Sequence, residues 1–119
     1  MELQVVAQEI VNKIKLLEEG RNMLAAKAQT KANTIANYDR AFAKTIIKLN
    51  NGVEFDLDDV KIQNPKTILM DKITKGICWQ ERLAMELADA EYKNAISSLD
   101  CLKTELNGYQ SINRHLSEI

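Results

Sequence analysis

From Met85 to Leu116 apolar residues recur at alternating steps of four and three. The series is Met85, Ala88, Tyr92, Ala95, Leu99, Leu102, Leu106, Tyr109, Asn113 and Leu116, and only Asn113 is polar. Such steps average about 3.5 residues, the period of a coiled-coil seam. The last third of the chain is therefore expected to be a long helix lying against another helix. Tyr92, Leu99, Leu102, Leu106 and Tyr109 are its expected oligomer seam.

The N-terminal part carries a second pair of heptad rows. One is Leu3, Ile10, Leu17, Leu24, Lys31, Tyr38 and Thr45. The other is Ala7, Ile14, Arg21, Ala28, Ile35, Phe42 and Leu49. Eleven of the fourteen are apolar. A long helix is expected over 3–49, with Gly20 as a candidate kink or break, since glycine costs about 1 kcal/mol against alanine inside a helix.

Asn50-Asn51-Gly52 is a helix stop, because Asn and Gly tolerate the left-handed conformation that ends helices. Val53, Phe55 and Leu57 then alternate with Glu54, Asp56 and Asp58, the pattern of a short extended segment. Asn64-Pro65 reads as an N-cap followed by proline at the first helical position. A linker is thus expected over 50–64, a short helix over 65–75 ended by Gly76, and the last long helix over 77–116. The fold class is all-α: one domain over 1–119, with two long helices as an antiparallel coiled-coil-like hairpin, a short extended linker and a short central helix. Two helices make a thin core. A further apolar set on the last helix, Leu83, Leu87, Ile96 and Ile112, is expected to drive homo-oligomerisation.

Charge and composition narrow the function classes. The formal net charge is −1 and aromatics are 5% of the 119 residues. Nothing in that balance announces a nucleic-acid binder or a stacked-ligand pocket. The start lacks a basic region followed by an apolar stretch, and no apolar run approaches the roughly 18 residues of a membrane span. A cytoplasmic protein without membrane contact is expected. Cys78 and Cys101 are expected to be free thiols, since about 1.5 Å per residue places them far apart on one helix.

Candidate chemistry is sparse. His115, the only histidine, lies at a helix end with no metal-ligating neighbours, as expected of a solvated side chain. The acids Glu54, Asp56, Asp58 and Asp59 fail the calcium-loop pattern, which needs Gly where Lys61 stands and Glu where Thr67 stands. No phosphate loop or nucleophile motif is present, so no enzyme, metal or cofactor is expected. Between Arg21 and Lys48 six cations face Asp39 alone. Arg40, Lys44 and Lys48 share one helix face as possible phosphate contacts, and the competing reading pairs these cations with acids of the last helix. The stretch from Gly52 to Trp79 breaks the helical rule, and binding residues concentrate in such chain reversals. Phe55, Asp56, Asp58, Asp59 and Trp79 are the expected partner-binding residues, against the simpler reading that Phe55 and Trp79 plug the hairpin end.

Asn64-Pro65-Lys66-Thr67-Ile68-Leu69, Asp71-Lys72 through Lys75-Gly76, Ala88-Asp89-Ala90-Glu91-Tyr92-Lys93 and the run Leu102 to Ile112 resemble a group of small helical proteins of temperate phages of Gram-positive bacteria. The resemblance covers about residues 64–116. Members typically lie among early genes, near those for recombination and single-strand binding. The chain departs from the group in its acidic linker and in Cys78-Trp79, and the group offers no catalytic residues to carry over. The Trp-x-Gly turn of small secreted helical hairpins is absent, since Gln80-Glu81 follows Trp79. The resemblance implies a phage-encoded, non-catalytic protein that binds itself and a host or phage protein, capturing or inhibiting a host factor such as a component of antiviral defence. The alternatives are an accessory of phage recombination or replication that contacts nucleic acid, and a sponge for a nucleotide signal.

Overall fold

The computed structural model describes residues 2–118. It contains α1 (Leu3–Asn50), a two-stranded sheet of β1 (Phe55–Leu57) and β2 (Val60–Ile62), a single 3-10 turn at Thr67–Leu69, α2 (Met70–Ile77) and α3 (Trp79–Ser117). The chain is an all-α hairpin with a small sheet in its linker. It forms two compact units, Met1–Gln29 with Ala90–Ile119, and Thr30–Asp89.

In the first unit α1 and α3 run antiparallel, tied by ion pairs from Lys13 to Glu105 and from Lys27 to Glu91. Val6, Leu17 and Leu99 are its buried apolar side chains. The α3 seam follows its expected period in both units. Each of the ten positions is buried or half-buried, and from 86 to 118 only Asp89 joins them.

The α1 face departs from expectation. The row Leu3, Ile10, Leu17, Leu24, Lys31, Tyr38 and Thr45 is buried or half-buried apart from Leu3. The second inner row is Val6, Lys13, Gly20, Lys27, Thr34 and Ala41, one residue before the expected one. Of the expected row, Ala7, Ile14, Arg21 and Ile35 are exposed, while Ala28 and Phe42 are half-buried and Leu49 is buried. The physical cause lies in the residue types. Lys13 and Lys27 lay their aliphatic stems along the seam and place their ammonium groups on acids at its edge. Gly20 does not break α1, which is continuous through it.

The second unit joins the end of α1 to the start of α3 through the linker. Gly52, at φ +79°, ends α1 with Gly52 N–H donating to Leu49 C=O and Val53 N–H to Lys48 C=O, a Schellman motif. The extended segment is half of a β-hairpin in register Phe55↔Ile62 and Leu57↔Val60. Asp58 and Asp59 form its two-residue loop, both at positive φ as a type I′ turn requires. Asn64 also lies at positive φ and caps no helix; the 3-10 turn begins after Lys66, and α2 runs through Gly76 to Ile77. A Cβ on Gly76 would sit 3.2 Å from Leu57 Cδ2, so α2 packs closely on the hairpin. Leu49, Thr45, Thr74 and Cys78 are buried in this unit, with Thr45 Oγ1 3.4 Å from Cys78 Sγ.

Candidate functional site

The α2–α3 junction carries the most prominent surface of the second unit. A one-residue break at Cys78 turns the chain from α2 into α3. Cys78 points into the core and Trp79, the next residue, is 51% exposed. Trp79 and Leu83 lie one helical turn apart and line a cleft of about 500 Å³ with Gly76 and the charged Lys72, Lys75, Arg82 and Glu86. Lys75 pairs with Asp71 at 3.7 Å and Arg82 with Glu86 at 3.2 Å, each one turn away on its own helix. Lys72 makes no ion pair among the described residues. Exposed Ile68, at 86%, precedes α2, and exposed Leu87 continues the Trp79–Leu83 stripe by one turn.

The five expected partner-binding residues divide. Trp79 lines the cleft, and Phe55, Asp56, Asp58 and Asp59 do not. Phe55 is half-buried in the hairpin opposite Ile62, while Asp56 and the two turn acids are exposed. Sequence reading missed Lys72, Lys75, Arg82 and Leu83 as neighbours of Trp79. Their signal was the i, i+3, i+4 spacing of Lys72-Lys75-Gly76 and of Trp79-Arg82-Leu83 on two helices meeting at one residue.

The basic row also divides. Lys27 and Lys31 pair with Glu91 and Asp89 of α3, at 2.8 and 3.1 Å. Arg40, Lys44 and Lys48 are exposed and make no ion pair among the described residues. Arg40 and Lys44 line a second cleft of about 360 Å³ with Asn37, Ala41 and Glu81. The expected oligomer seam is turned inward: Leu99 is buried against Gly20 of the same chain, and Tyr92, Leu102, Leu106 and Tyr109 are half-buried on the same side of α3.

Lys13 holds its proton more tightly than an ordinary lysine. Its hydrogen bond to the Glu105 carboxylate, aided by the charges of Glu105 and Glu9, outweighs partial desolvation and holds the ammonium above the ordinary lysine value. Among the described residues no three His, Cys, Asp or Glu side chains stand together where they could hold a metal ion. Cys78 and Cys101 are free thiols, buried and exposed respectively. No described helix is long and apolar enough to cross a membrane. Comparison with family models, with curated proteins and with solved structures finds no match to this chain.

Proposed function

We propose that this chain is a phage-encoded, non-catalytic binding protein that captures a host factor in the cytoplasm of the infected bacterium. The observation that carries the binding role is the exposed Trp79 in a cleft of mixed apolar and basic lining. A half-exposed indole leaves apolar area in water that a partner can cover, and Trp is enriched among residues that dominate binding energy. The phage setting rests on the resemblance over residues 64–116, and antiviral defence is the class of target it suggests.

The test is capture from phage-infected cells by the wild-type chain, by Trp79→Ala and by Leu83→Asp, read by mass spectrometry. Host proteins lost with both variants at an unchanged melting temperature support the reading. Equal capture by all three chains overturns it.

A second reading, contact with nucleic acid, is favoured by one observation. Among the described residues Arg40, Lys44 and Lys48 make no ion pair, whereas Lys13, Lys27 and Lys31 of the same helix each pair with an acid of α3. Three cations on successive turns present a basic line to a phosphate backbone.

A further inference from the structure

The second unit carries two surfaces of opposite sign. The hairpin and its lead-in hold Glu54, Asp56, Asp58 and Asp59 against Lys61 alone. Among the described residues only Glu54 of these acids has an ion pair, with Lys61 at 3.9 Å. Beside the acidic turn, Val60 is 61% exposed. The Trp79 cleft has the complementary make-up, with apolar Trp79 and Leu83 beside Lys72, Lys75 and Arg82. Among the described residues Lys72 makes no ion pair, and Lys75 and Arg82 are held only by exposed Asp71 and Glu86 on their own helices, pairs that water screens strongly.

Both surfaces border α2. Gly76 lines the cleft and also lies against Leu57, which pairs with Val60 at the turn end of the hairpin. An acidic, apolar tip and a basic, apolar cleft therefore flank the same short helix. A twofold axis beside α2 brings the tip of each copy to the cleft of the other within one interface, the self-complementary arrangement of an isologous dimer.

We propose that a second copy of this chain occupies the cleft. Asp56, Asp58 and Asp59 of one copy face Lys72, Lys75 and Arg82 of the other, and Val60 covers Trp79 and Leu83. The proposal rests on reading the cleft as a binding surface, and a second copy seated there competes with a host factor for Trp79 and Leu83. The purified chain tests the dimer with no other protein present, whereas capture from cells tests that reading, so each can fail alone.

The experiment is light scattering on the purified full chain at micromolar concentration, with melting followed by circular dichroism. The wild type is expected at twice its 13.5 kDa mass, dissociating as salt is raised, because exposed charge pairs are screened. Two variants follow: Asp56→Lys with Asp58→Asn and Asp59→Gly, which suits the turn, and Lys72→Glu with Lys75→Glu. Each alone is expected to be a folded monomer. Mixed in equal amounts, they are expected to form a heterodimer, since each supplies the charge the other has lost. A wild-type monomer overturns the proposal. So does a salt-insensitive dimer that both variants leave intact, as packing through exposed Ile14 and Ile35 of α1 would give. Two monomeric variants that fail to pair when mixed overturn it as well.

Discussion

Gly20 and Leu99 fill one space. A Cβ built on Gly20 would lie 2.6 Å from Leu99 Cδ2 and 3.4 Å from its Cγ, and Leu99 is only 5% exposed. Helix propensity alone gives Gly20→Ala a gain of about 1 kcal/mol. The contact opposes it, because a buried leucine displaced from its rotamer costs about 1 kcal/mol or more. Gly20→Ala is therefore expected to leave stability unchanged or lower it by about 1 kcal/mol. In a Leu99→Ala background the same substitution is expected to stabilise, since the methyl group enters the space vacated. A double-mutant cycle by urea denaturation reads this coupling; additive effects would show that the two residues do not share the site.

The two apolar sets of α3 predict opposite responses to a charge. Leu99 is in the seam, and Leu87, 55% exposed, lies outside it. Leu99→Asp is expected to destabilise by about 3 kcal/mol or more, because a buried carboxylate lacks a partner. Leu87→Asp is expected to change stability by less than about 0.5 kcal/mol. Thermal melts of the two variants check this, and a comparable loss in both would place Leu87 in an interface.

Legibility in the sequence followed residue type. The α3 seam was readable because nine of its ten positions are apolar. The α1 register slipped by one in its second row because Lys13, Gly20 and Lys27 look polar or helix-breaking, yet the stems of the lysines and the missing side chain of the glycine suit the interior of a seam. Ile14 and Ile35, apolar one residue later, supplied the false period. The second strand was missed because Asp58-Asp59 is not the Asn-Gly or Asp-Gly pair that marks a two-residue hairpin. Trp79 was singled out by composition, but the spacing of Lys72-Lys75-Gly76 and Trp79-Arg82-Leu83 does not give the angle at which α2 and α3 meet at Cys78, and the cleft depends on it. The sequence alone left open whether the cations from Arg21 to Lys48 pair with acids of the last helix; Lys27 and Lys31 do, and among the described residues Arg40, Lys44 and Lys48 make no ion pair.

The Lys13–Glu105 pair predicts a pH dependence at the alkaline end. The folded-state pKa of Lys13 is raised above 10.5. A group with a raised folded pKa contributes stability that is complete below its unfolded value and lost as pH rises through the folded one. The advantage of the wild type over Glu105→Gln is therefore expected to be constant around neutrality and to shrink above about pH 10.5. Denaturation midpoints of both chains across that range check it. An advantage that persists in strong alkali would assign the role of Glu105 to something other than the lysine.

The acidic turn separates backbone need from charge. Asp58 and Asp59 both occupy positive φ, where Asn and Gly are favoured. Asp58→Asn with Asp59→Gly is expected to raise stability by about 0.5 kcal/mol or more while removing two acids. A melting temperature that rises identifies the turn as strained by its acids. A fall would mean that the carboxylates hold the turn through contacts of their own.

The basic row gives the sharpest choice between the two functional readings. Arg40, Lys44 and Lys48 are exposed and unpaired among the described residues, so replacing them removes no internal ion pair. If they track a phosphate backbone, affinity for DNA falls steeply with salt, and each change to alanine flattens the logarithmic slope by about one. If the chain acts only by capturing proteins, the formal net charge of −1 leaves DNA binding weak and insensitive to these changes. We expect the latter, because Glu81 lines the same cleft as Arg40 and Lys44 and opposes an anion there. Titration of short single- and double-stranded DNA at two salt concentrations, with the wild type and Lys44→Ala, decides it. Sub-micromolar affinity at physiological salt that drops in the variant would establish the row as a nucleic-acid contact. It would also make recombination or replication, rather than capture of a host protein, the primary role.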